Sequence, residues 1–211
     1  MGRLLTLLTA FFLPFSLLAQ QNKMIVQGRE YKGNLERSHF VLLDSHGDTV
    51  LQPKGDYYMS VAYPDFNQDG NKDILLEVND NTPGRYELFL YSPKTRKFIE
   101  VKDFYYFATP EPIKGTRYYY SYNRAGCADN TWESFLFYID NYKPVKVGYI
   151  NGEGCGIKDG IYIYKQTGDT KAIIETLPLK TIEKYKDYKW GFLKSYWIKN
   201  YRKFLPKKSS G

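Results

Sequence analysis

Cysteine and histidine are scarce: the 211 residues include two of each. Two Cys exclude a disulfide-dense miniprotein and a tetrathiolate zinc site, and two His leave little for a histidine-based metal centre. No phosphate-binding or dinucleotide glycine pattern occurs, which removes the common nucleotide-handling classes. The longest apolar run, residues 4–18, is short for a transmembrane helix, and no other segment is apolar enough to suggest a membrane span. The abundant class is aromatic, 18 % of the chain with 21 Tyr, a composition suited to strands and recognition surfaces.

The apolar run at 4–18 follows Arg3, contains Pro14, and ends in Ala19 before the polar Gln20-Gln21-Asn22-Lys23. That order of positive start, apolar stretch and small residue predicts a secretory signal peptide over 1–19, with an uncleaved anchor as the alternative. The mature chain is then periplasmic or secreted, where disulfides persist, and does not span the membrane after cleavage.

The formal net charge of +7 is unevenly placed. From Leu179 onward there are ten Lys and Arg against Glu183 and Asp187, so the rest of the mature chain is faintly acidic. A basic tail on an exported acidic body is not the footprint of a nucleic-acid binder. It reads either as a solvated helix face or as a surface for an acidic partner, a membrane face or a cell wall.

Short runs rich in Val, Ile, Tyr and Phe recur between turn signals, and twelve strands are expected: 24–27, 39–43, 49–52, 57–63, 74–78, 86–91, 97–101, 117–122, 132–139, 145–150, 161–164 and 172–176. Residues 44–48 and 92–96 make hairpin turns. The pattern predicts an all-β antiparallel domain over 20–178. From 180 to 204, Ile182, Tyr185, Phe192, Leu193, Tyr196, Tyr201 and Phe204 fall at mostly helical spacing. Gly191 and the extra rings of Tyr188, Trp190 and Trp197 interrupt that pattern. One or two amphipathic helices over 179–205 should pack on the sheet, the alternative being a surface-lying helix, and 206–211 should be loose.

The runs 132–139 and 145–150 should pair through a turn at Asn141-Tyr142, with partner numbers summing to 283. Cys127 then faces position 156, next to Cys155. A disulfide between Cys127 and Cys155 is the expected result, with two free thiols or a catalytic Cys as alternatives.

Residues 65–73, Asp-Phe-Asn-Gln-Asp-Gly-Asn-Lys-Asp, carry the sharpest chemical signal. Asp65, Asn67, Asp69 and Asp73 put side-chain oxygens at positions 1, 3, 5 and 9. Gly70 permits a sharp bend and Asn71 offers a backbone carbonyl. Hard oxygens wrapping one ion are what calcium requires. Three carboxylates repel one another without a cation. Position 12 is Leu76 rather than Glu and the flanks read as strands, so the segment is not an EF-hand. Without metal it would be an Asn/Asp/Gly-rich turn.

A strand–DxNxDGxxD–strand unit resembles the calcium loops of FG-GAP and VCBS repeats. The following 85–98, with a Tyr-ending strand, a Lys/Thr-rich turn and a Phe, is similar to exported bacterial single-loop relatives of those repeats. The resemblance covers 57–104 well and 118–164 loosely. It implies a short propeller-like or meandering β fold, since a full propeller at roughly 40–45 residues per blade would not fit. It also implies a structural calcium ion and, for some members, a periplasmic immunity role against a peptidoglycan-cleaving toxin. The long basic aromatic tail departs from that pattern.

Catalytic signals are weak. His39 and His46 lie near Ser38, Asp44, Ser45 and Asp48, in what reads as a surface turn. Glu133, Asp140, Glu153 and Asp159 contain no spacing that defines a carboxylate pair. Tyr118-Tyr119-Tyr120 should put one face in the core and leave the other able to stack on sugar. The expected function is therefore a non-enzymatic calcium-binding β protein presenting a rigid surface to a protein partner such as a peptidoglycan hydrolase. The alternatives are a module for cell-wall glycan or another surface and, beyond that, a glycosidase.

Overall fold

The computed structural model describes residues 23–206 apart from Asp56 and Ile157. The expected signal peptide at 1–19 and the chain end at 207–211 lie outside the described residues. Three antiparallel sheets and a C-terminal helix follow one another along the chain.

The first sheet is a meander of β1 (Lys23–Val26), β2 (Arg29–Glu36), β3 (His39–Asp44) and β4 (Thr49–Leu51). The second repeats that order with β5 (Tyr58–Ala62), β6 (Ile74–Val78), β7 (Tyr86–Ser92) and β8 (Lys97–Glu100). The third holds β9 (Glu111–Pro112), β10 (Tyr118–Tyr120), β11 (Asn123–Gly126), β12 (Thr131–Asp140), β13 (Lys143–Glu153), β14 (Gly160–Thr167) and β15 (Thr170–Leu177). Its main path runs β15-β14-β13-β12-β10-β9, with β11 on β12. Helix α1 (Tyr188–Asn200) lies between short 3-10 turns at Leu179–Lys184 and Tyr201–Phe204. All pairings are antiparallel, as expected of a meandering β protein.

Apolar contacts order these elements into layers. Met24, Tyr31, Phe40 and Leu42 of the first sheet meet Tyr58, Leu76, Phe89 and Tyr91 of the second. Leu88 and Leu90, on the other face of β7, meet Phe104, Tyr119, Phe135 and Phe137. The opposite face of the third sheet, with Tyr118, Tyr120, Trp132 and Leu136, meets Phe192, Leu193, Trp197 and Phe204. The second and third sheets are thus covered on both faces. That accounts for the unbroken buried runs at the end of β7 and in β10, because a strand with two apolar faces needs no polar alternation.

Three strands escape the sequence pattern. β2 carries four charged residues among its eight, yet Tyr31 and Gly33 turn inward. Gly33 is glycine because the Tyr63 hydroxyl occupies the place of a β-carbon. β9 has two residues, and β11 breaks its register on β12 between Arg124 and Gly126. The β12–β13 hairpin follows the expected 283 sum from Asp140↔Lys143 to Phe137↔Lys146, then shifts by one residue to Leu136↔Gly148. The bulge bends the strands and places the extra residue, Val147, in the core. In α1 the interruptions have a use. Trp197 is fully buried and its Nε1 donates to Ser134 Oγ at 2.8 Å. A β-carbon at Gly191 would meet the Lys186 carbonyl, so the chain can fold back on itself there.

Candidate functional site

The loop at 65–73 joins β5 to β6. Its base is fixed from below. Asp73 is fully buried; its Oδ1 accepts the Tyr91 N–H and its Oδ2 the Phe66 N–H, both at 2.8 Å. Its own N–H donates to the Pro64 carbonyl at 2.6 Å. Burial pushes the Asp73 carboxyl up to about 6, against the lowering effect of the Tyr91 and Phe66 amides. Phe66 stacks on Tyr119 at 4.8 Å and meets Phe104 edge-on at 5.3 Å. The Tyr119 hydroxyl donates to the Phe66 carbonyl at 2.6 Å. The third sheet therefore holds the loop that leaves the second.

The upper part is a ring of oxygens and amides. Asp65 accepts the Asp69 and Gly70 N–H groups, each at 3.0 Å. Asn67 Oδ1 accepts the Asp69 N–H at 3.2 Å, and Asn67 Nδ2 donates to Asp69 Oδ2 at 2.9 Å. Asp69 Oδ1 accepts both the backbone and side-chain N–H of Asn71 at 2.8 and 2.9 Å. Gly70 has φ +86°, the left-handed region that favours glycine. Asp65, Asn67, Asp69 and Asn71 are thus gathered by mutual hydrogen bonds. Among the described residues, no three Asp, Glu, His or Cys side chains form a metal-holding group. Asp73 differs from the others in being fully buried, with its two oxygens held by the Tyr91 and Phe66 amides.

The donor set agrees with calcium in kind. The oxygens are hard, and a carboxylate oxygen that accepts one hydrogen bond keeps a second lone pair. Asp65, Asn67 and Asp69, with the Asn71 carbonyl, would hold such an ion, and Asp73 would set the loop beneath it.

Cys127 and Cys155 form a disulfide with their Cα atoms 6.5 Å apart. The register shift in β12–β13 did not prevent it, because the bond closes beyond the paired rungs. Cys127, Ala128 and Asp129 all have positive φ, at 52°, 50° and 70°. The same turn is clamped to α1: Lys189 Nζ donates to the Asp129 carbonyl at 2.8 Å and pairs with its carboxylate. The Tyr122 hydroxyl donates to that carboxylate as well. Burial raises the Asp129 carboxyl, but the bonds from Lys189 and Tyr122 and the charges of Lys189 and Arg124 outweigh it and hold the group below the usual carboxylate range.

The weaker catalytic candidates have structural work. Glu133 accepts the Tyr149 hydroxyl at 2.7 Å, and Glu153 accepts the Thr131 hydroxyl at 3.0 Å. Asp140 sits at the far end of the same hairpin, opposite Lys143. Asp159 is exposed just before β14. Asp44 Oδ1 accepts the His46 and Asp48 amides and so shapes the β3–β4 turn. The Tyr118–Tyr120 expectation is corrected: both faces are buried, Tyr119 against the second sheet and its neighbours against α1, so neither is open to sugar. Phe135 and Tyr149 do stack at 5.3 Å, but Lys146 and Lys171 cover them at 4.1 and 4.0 Å.

Among the described residues, no helix is long and apolar enough to cross a membrane. No protein-family model matches the chain, and no curated protein matches it. Among solved structures, the chain is similar to a Xanthomonas type IV secretion system related protein, with 11 % identity over 74 % of this chain and 86 % of that one, at a TM-score of 0.49.

Proposed function

We propose that this chain is an exported, non-enzymatic β protein that binds one calcium ion through Asp65, Asn67, Asp69 and the Asn71 carbonyl, over the buried Asp73. The observation that carries the reading is the gathering of Asp65, Asn67 and Asp69 on a loop whose base is bolted to two sheets by Asp73 and Tyr119. A bound cation would offset the repulsion among the three carboxylates and stiffen the turn. Export is supported by the signal-like 1–19 and by the disulfide, which suits an oxidising compartment. The stiffened layers then present a fixed surface to a protein partner, and a peptidoglycan hydrolase inhibited in the periplasm is the partner proposed.

The test begins with metal-stripped mature protein titrated with calcium by calorimetry, beside an Asp65→Ala/Asp69→Ala variant. One-to-one binding that the variant loses is the expected result. The unfolding free energy should then rise with calcium by about 2.7 kcal/mol at a hundredfold excess over Kd, moving thermal unfolding upward. No binding up to millimolar calcium overturns the metal reading. Mixing the protein with cell-wall hydrolases and following peptidoglycan turbidity tests the partner, and an undiminished clearing rate across them would count against inhibition.

A further inference from the structure

β4 ends the first sheet and β8 ends the second, and among the described residues no strand pairs with the outer side of either. A cavity of about 890 Å³ lies between them, with Thr49 and Val50 on one wall and Arg96, Lys97 and Phe98 on the other. A second cavity of about 590 Å³ continues it, with Leu51 on the first wall and Lys97–Glu100 on the second. Lys97 and Phe98 line both, so the two form one groove. Residue numbers rise along both walls in the same direction, which makes β4 and β8 run alike on either side.

The charges in this groove are unequally occupied. At the end with Arg29 and Arg96, Glu30 is bonded to Lys23 at 2.7 Å and Asp44 holds its own turn; at the other end Glu87 accepts the Tyr58 hydroxyl and Glu100 makes no ion pair among the described residues. Arg29, Lys54, Arg96 and Lys97 make no ion pair among the described residues. Arg29 and Arg96 come from different hairpins yet both act electrostatically on the buried Tyr91 hydroxyl, which lies beside that of Tyr31. The floor is apolar: the Phe98 ring packs edge-on against Tyr31 at 5.5 Å and Tyr91 at 5.2 Å. Val50 is exposed beside it.

Free strand edges on two parallel walls, an apolar floor and the unpaired Arg29 and Arg96 at one end together describe a receptor for an acidic strand. We infer that the groove binds an extended acidic segment of a partner protein. The segment runs antiparallel to β4 and β8. Its backbone pairs with a free edge and its carboxylates reach Arg29 and Arg96. At about 3.3 Å per residue, five or six residues fill the length of the walls. The groove contains none of the residues 65–73, so this binding and the calcium reading stand or fall separately.

The probe is a fluorescent hexapeptide of alternating glutamate and valine, titrated with the full mature chain and read by anisotropy at low ionic strength. Saturable binding is expected, weakening as salt rises. A lysine–valine peptide should not bind. Arg29→Glu/Arg96→Glu, both at exposed positions, should weaken binding at least tenfold with an unchanged circular dichroism spectrum. Hydrogen exchange at Thr49–Leu51 or Lys97–Glu100 should slow on binding, and a peptide N-methylated at alternate residues should bind at least tenfold more weakly. No saturable binding, equal binding by the variant, or equal binding of the N-methylated peptide overturns the inference. So does sedimentation showing a dimer that Arg29→Glu/Arg96→Glu dissociates, since the occupant would then be a second copy of this chain.

Discussion

At the scale of single residues, the most consequential carboxylate is the one least available to solvent. Asp73 is fully buried and accepts the Tyr91 amide in the interior and the part-buried Phe66 amide at the loop base. Asp73→Ala should therefore destabilise the protein by about 2–6 kcal/mol, from two orphaned N–H groups at about 1–3 kcal/mol each, in urea unfolding without calcium. Asp65→Ala, at an exposed position, should cost about 1 kcal/mol or less under the same conditions. A reversed ranking would mean that Asp73 is not the anchor. Trp197 is a comparable case in α1. Trp197→Ala should cost about 3–5 kcal/mol, since it empties a fully buried site and strips Ser134 of its donor. Trp197→Phe should recover most of the packing but not the Ser134 bond. The spacing of 65–73 was legible in the sequence because it is local. The inward turn of Asp73 was not, because its partners Tyr91 and Phe66 are set by sheet pairing and by Tyr119, far away in the chain.

At the scale of elements, the Cys127–Asp129 turn joins three parts: the disulfide ties it to the end of β13, and Asp129 ties it to α1 and to Tyr122. Replacing both cysteines by serine should lower stability by about 3 kcal/mol, measured by urea unfolding against the oxidised protein. The Asp129 clamp adds a pH dependence. Its carboxyl is held below the ordinary value in the fold, so its contribution is complete above an unfolded value near 4. It is lost as pH falls through the lower folded value. In Asp129→Asn the acid side of the stability profile should be flatter, and an unchanged profile would show that the clamp is not charged. Strands were legible where residues alternate or stay apolar, as in β6, β12 and β14. β2 was hidden by its charges, and the β12–β13 register was legible only as far as the bulge, which no local pattern announces. In the tail, the apolar spacing marked Phe192, Leu193 and Tyr196. Trp197 looked out of step because the helix buries a wide face, its neighbours Phe192 and Phe204 packing into the same core.

At the scale of the whole molecule, four layers enclose three cores, and the two middle sheets each serve two of them. Loosening either sheet exposes apolar surface on both sides, so fluorescence and far-ultraviolet dichroism should report one shared urea transition. Two separated transitions would show that the first sheet melts by itself. The layers also follow the order of the chain: most strands pair with their immediate sequence neighbours, and each new sheet lands on the one before it. Such a molecule is well suited to growing from its N-terminus, each meander closing while the next is still being made. The exception is the last layer. Until α1 arrives, Trp132, Leu136, Ile150 and Ile163 have nothing to cover them. A ribosome that stops at Pro178 would release a nearly complete β protein with one greasy side bare, a substrate for chaperones and proteases rather than a smaller working version of the same fold.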